Sequence, residues 1–136
     1  MATKSELQGW IWDAQKKYDT YQQIVVDCDN KIARLEPVYK ALADIKSDFR
    51  SARKSTREII EEKGTWQGEK HTSFCNAGDA LDDICGEYYD LLDYAHDRIN
   101  ERISELRAKK RELIPIIGGL WAQIERWRVD IENALN

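Results

Sequence analysis

Two long stretches of this chain carry apolar residues at steps that alternate four and three, and one short segment between them breaks the pattern. Because an α-helix turns once in 3.6 residues, that alternation returns to the same helix face and defines a heptad seam. The first stretch runs through Leu7, Ile11, Ala14, Tyr18, Tyr21, Val25, Cys28, Ile32, Leu35, Tyr39 and Leu42. Its register then slips by one residue, continuing through Ile45, Phe49, Ala52 and Ile59, which re-aims the seam locally. The second stretch runs through Leu81, Ile84, Tyr88, Leu91, Ala95, Ile99, Ile103, Leu106, Leu113, Ile117, Leu120, Ile124, Trp127, Ile131 and Leu135.

Punctuation is sparse and well placed. Two prolines and seven glycines serve 136 residues, 34% of which are charged, the composition of long helices rather than of strands and turns. Pro37 removes a backbone donor and predicts a kink near Leu35 or a division into two stacked helices. Gly64 suits a left-handed helix cap after Glu61-Glu62-Lys63, and a new helix is expected from around His71 to Phe74, with Thr65 or Thr72 as its N-cap. Gly78 and Gly86 weaken the start of that helix, and Pro115 with Gly118-Gly119 bends it near its end. The expected fold is all-α, an elongated antiparallel helical hairpin in a single domain. Its arms cover about residues 3–61 and 72–134, with a turn over about 62–71. A straight arm of that size would be ~90 Å long at the rise of an α-helix.

Charge and hydropathy exclude several roles. A net charge of -4 offers no clustered basic surface for phosphate, so nucleic acid is not expected as a partner. The densest basic run, Arg107 to Arg111, is flanked by the acids Glu105 and Glu112 and reads as a solvated face. No apolar run approaches the ~18–20 residues of a membrane span, and the N-terminal residues do not resemble a cleavable leader. Cytoplasmic residence, with any export by a leaderless route, is the expectation. Cys28, Cys75 and Cys85 form no C-x-x-C pair and read as reduced, packed thiols.

Catalytic chemistry finds little to stand on. His71 and Cys75 share a helix face, but Cys85 and His96 lie too far along the helix to complete a zinc site with them. The acids Asp79, Asp82, Asp83, Glu87, Asp90, Asp93 and Asp97 lack the Glu-x-x-His motifs of di-metal bundles and read as an acidic solvent face. No phosphate loop, nucleophile elbow or Ser/His/Asp set is present. No catalytic residue, metal or cofactor is therefore expected.

The aromatic residues point elsewhere. An antiparallel hairpin brings Trp10, Trp12, Trp121 and Trp127 to one end. Trp10 and Trp12 stand two apart and cannot share a face, so at least one projects from the seam as a candidate partner anchor. At the other end, Trp66 and Gly68 sit in the turn, with Phe74 placed to pack beneath Trp66.

The Trp66-Gln67-Gly68 turn between two helical arms resembles the WXG family of small proteins exported by type VII (Esx) secretion systems of Gram-positive bacteria. More closely, the chain is similar to the YwqH-like helical proteins that accompany LXG toxins. The matching residues are Ile32-Ala33-Arg34-Leu35-Glu36, Trp66-x-Gly68 with Phe74, Tyr88-Tyr89, Ile99, Ile103, Leu106 and Ile131-Glu132-Asn133-Ala134-Leu135-Asn136. The resemblance implies a non-enzymatic chaperone or targeting factor that binds the helical N-terminal LXG domain of a toxin, alongside a second small helical protein, and serves the secretion ATPase indirectly. WXG proteins are shorter and carry a Tyr-x-x-x-Asp/Glu export motif near the C-terminus; here its match, Tyr89 and Asp93, lies inside the second arm. The alternative expectation is a self-associating coiled-coil scaffold, two hairpins forming a homodimeric four-helix bundle.

Overall fold

In a computed structural model the chain forms two α-helices, α1 (Lys4–Lys63) and α2 (Glu69–Leu135), packed against each other. The structure describes residues 2–63 and 69–135, and the side chains of these except residues 60, 62–63, 69–71 and 135. Every element among the described residues is helical, as the periodicity requires. α1 starts one residue inside the expected first arm and ends two beyond it, and α2 starts three residues before the expected second arm and ends one beyond it.

α1 begins at a reciprocal cap. The Glu6 backbone N–H donates to Thr3 Oγ1 at 3.1 Å, and the Thr3 N–H donates to Glu6 Oε2 at 3.0 Å. Two otherwise orphaned donors are thereby satisfied, and the Leu7 N–H closes the first helical turn on the Thr3 carbonyl at 2.9 Å. Pro37 does not divide α1 into two helices, and Pro115, Gly118 and Gly119 do not interrupt α2. One missing backbone hydrogen bond is outweighed by packing residues on both sides of each proline: Leu35 and Tyr39 around Pro37, Leu113 and Ile117 around Pro115.

Contacts divide the chain into two packing units, Met1–Arg34 with Ile103–Asn136, and Leu35–Arg102. In the first unit the alternating seam is filled as the sequence predicts. Leu7, Ala14, Cys28 and Ile32 of α1 are buried, as are Ile103, Leu106, Ile117 and Ile124 of α2, Ile124 completely. Trp10 packs on Trp127 with ring centroids 5.7 Å apart, and Tyr18 packs on Trp121 at 5.6 Å, so the helices are antiparallel. Lys110 occupies a seam position and forms an ion pair with Asp29.

The second unit departs from the expected seam. The partly buried residues of α1 continue the four-three alternation without a slip: Leu35, Tyr39, Leu42, Lys46, Phe49, Arg53 and Thr56. On α2 Cys75, Gly78, Asp82, Cys85, Tyr89, Leu92, His96 and Ile99 keep the same alternation, with Gly86, Asp93 and Ala95 partly buried beside them. Several apolar residues expected in the seam lie outside it instead. Ile45 and Ile59 are 47% and 52% exposed, and Leu81, Ile84, Tyr88 and Leu91 are 49–66% exposed. The seam holds its register because opposite charges on the two helices satisfy one another there, so no slip is needed to avoid the polar positions. No described side chain of this unit is as buried as the eight core residues of the first.

Candidate partner-binding surface

The two sides of the second unit have opposite characters. One side is a ladder of polar contacts from α1 to α2. Asp82 accepts from Arg53 Nε at 2.8 Å and Nη2 at 3.3 Å, and from Arg57 Nε at 2.9 Å and Nη2 at 3.1 Å. Hydrogen bonds from the two guanidiniums hold the Asp82 carboxyl well below the usual carboxylate range. Lys46 pairs with Asp93, which lowers the carboxyl and raises the ammonium through the same hydrogen bond, and Arg50 donates to the Tyr89 hydroxyl. Gly86 makes room for this ladder, since a Cβ there would lie 3.0 Å from Arg53 Nη2. Asp82 and Asp93 therefore turn toward α1 and leave the acidic solvent face, whereas Asp79, Asp83, Asp90 and Asp97 remain exposed on it. Tyr89 and Asp93, the residues that match the export motif, are both held in these contacts, with the Lys46 ammonium 5.7 Å from the Tyr89 ring centroid.

The other side is apolar. On α2 the residues one position before the seam residues are Phe74, Ala77, Leu81, Ile84, Tyr88, Leu91, Ala95 and, at the end, Arg98. One residue turns the helix by about 100°, so these form a second heptad stripe on a different face. The equivalent positions of α1 include Val38, Ala41, Ile45, Ala52 and Ile59. The polar contacts of Arg50, Arg57 and Asp93 come from residues one position after the seam, so the positions before it meet on the opposite side in an antiparallel pair. Tyr88 reaches inward from that side to Phe49, with centroids 5.3 Å apart, while remaining 54% exposed. The stripes of both helices thus border one groove. Exposed apolar surface of this extent on one side of a helix pair is characteristic of an interaction site.

The tryptophans gather only in part. Trp10 and Trp127 pack with their rings tilted by 50° and, with Asp13, Ala14, Lys17 and Leu120, line a shallow cavity of about 420 Å³. Trp12 is 60% exposed beneath the Lys16 ammonium, 3.6 Å from its ring centroid, and Trp121 is 46% exposed against Tyr18. The expectation that Trp10 and Trp12 take different faces is met by these contacts.

The remaining expected positions fall into place more briefly. Trp66 and Gly68 lie outside the described residues, as does the side chain of His71, and Phe74 is a 36% exposed residue of α2. Cys28 is a buried thiol, and Cys75 and Cys85 are partly exposed ones. His96 stacks on Tyr39 inside the seam, at 4.1 Å between centroids. Among the described residues, no group of three or more His, Cys, Asp or Glu is placed to hold a metal ion, and no helix is long and apolar enough to cross a membrane. Apolar periodicity alone does not reveal the groove, because it places these residues in the seam itself. The polar residues Lys46, Arg53, Asp82 and Tyr89, which keep the four-three alternation, were the signal that could have revealed it. No family model, curated protein or solved structure matches the chain.

Proposed function

We propose that this chain is a non-enzymatic helix-binding protein that completes its second unit with amphipathic helices of a partner. The observation that carries the reading is the displaced apolar stripe: Leu81, Ile84, Tyr88 and Leu91 are 49–66% exposed on a helix whose seam beside them is filled by Asp82, Cys85, Tyr89 and Leu92. A helix with two heptad stripes is built to contact more than one neighbour, and helix-in-groove recognition uses such spaced anchors. The resemblance to YwqH-like proteins names the partner we favour, the helical N-terminal LXG domain of a toxin bound for type VII secretion. The exposed Trp12 and the Trp10–Trp127 cavity offer a second contact area in the first unit.

Co-expression with the LXG domain tests this directly. A complex that survives size-exclusion chromatography supports the reading, and two proteins that elute apart refute the assignment of that partner. A self-associating scaffold is the competing reading. Light scattering distinguishes it, because that reading requires a dimer of the isolated chain whose mass does not depend on a toxin.

A further inference from the structure

We infer that the apolar groove of the second unit receives an amphipathic α-helix whose apolar stripe is flanked by lysines or arginines. This rests on the helix-binding reading above and specifies its surface and the chemistry of its partner. Along the groove, Val38, Ile45 and Ile59 of α1 face Leu81 and Tyr88 of α2, with Ala52 and Ala95 between them leaving room for an incoming backbone. Ile84 and Leu91, 62% and 66% exposed, carry the apolar surface up the α2 wall. From Val38 to Ile59 the groove matches about three heptads of a docked helix.

Charge decides what lies in it. Asp48 interrupts the α1 stripe, Asp44 and Glu58 border it, and Glu87 borders the stripe of α2. None of the four makes an ion pair among the described residues. The basic residues of this part of α1, Lys40, Lys46, Arg50, Arg53, Lys54 and Arg57, stand in the seam or on the opposite side. Between Ala77 and Ala95, α2 carries no lysine or arginine at all. The groove is therefore apolar with acidic margins as far as Ala95, and Arg98, beyond it at the Val38 end, is paired with Glu101 at 3.1 Å. A second copy laid on this face would set acid against acid, which disfavours it, whereas basic flanks on the incoming helix would pair with the margins and fix its register.

The test uses the full chain and a fluorescent three-heptad amphipathic peptide made in two versions, with lysine or with glutamate flanking the leucine stripe. Fluorescence anisotropy should show the lysine version binding at least about tenfold more tightly, with the gap closing as salt rises. Ile84→Gln with Leu91→Gln should abolish binding while circular dichroism stays unchanged, since both sites are largely exposed. The triple variant Asp44→Lys, Asp48→Lys, Glu58→Lys should reverse the preference between peptides. Equal affinity for both versions, or undiminished binding by the Ile84→Gln, Leu91→Gln variant, overturns the inference. So does a wild-type dimer that the same variant converts to monomer. An LXG domain that binds wild type and variant equally would overturn the groove and leave the targeting role standing. Peptide binding without LXG binding would do the reverse.

Discussion

His96 lies flat against Tyr39, with ring planes 14° apart, and its Nε2 is buried without a hydrogen-bond partner among the described residues. An unsatisfied buried nitrogen opposes folding, while the stack itself does not require it. His96→Phe keeps an aromatic ring on Tyr39 and removes the orphan, so chemical denaturation should show a gain of about 1 kcal/mol. Asp82 is the converse case, a carboxylate with four donor contacts from Arg53 and Arg57. Its folded-state pKa is depressed, so its contribution is complete above the unfolded value near 4 and declines as pH falls below it toward the folded value. Asp82→Asn should lower Tm at neutral pH, and its gap from wild type should narrow below about pH 4. A gap that is constant from neutral pH to pH 2 would remove the ion pair as its source.

At the scale of the helix, the glycines separate propensity from packing. A Cβ at Gly118 or Gly119 meets nothing within 4 Å, so alanine at either should stabilise α2 by about 0.5–1 kcal/mol. Gly86→Ala gains the same propensity but pushes against the Arg53 guanidinium, and should yield a smaller increase or none in the same denaturation assay. The sequence made these helices legible, and in the first unit even their contacts, because Leu7, Ala14, Cys28, Ile32, Ile103, Leu106, Ile117 and Ile124 are both apolar and in step. It misled over residues 42–59 and 81–95, where apolarity and seam position part company. Periodicity reports which face is apolar, and it cannot report whether that face meets the same chain or another one. The cross-helix partners of Lys46 and Arg53 lie 47 and 29 residues away, so no local window contains them. The cap at Thr3 and Glu6 was readable as a Thr-x-x-Glu signature, though the apolar pattern alone does not draw attention to it.

For the whole molecule, the contrast between the units becomes a contrast in local stability. All the buried core side chains among the described residues belong to the first unit. Amide hydrogen exchange should therefore be slower over residues 7–32 and 103–131 than over 35–59 and 75–102. A bound basic helix should slow exchange chiefly in the second set, and uniform protection in the free chain would contradict the packing described here. Damage to the second unit should divide into two kinds. A substitution at Asp82 or Arg53 weakens the hairpin and announces itself in any melting curve. On the helix-binding proposal, a charge placed at Ile84 or Leu91 should leave the isolated chain folded and well behaved, yet unable to bind the incoming helix. On that proposal, loss of binding and loss of stability are decoupled along two strips of α2 one residue apart, and variants in the outer strip would pass every assay except one that contains the proposed partner.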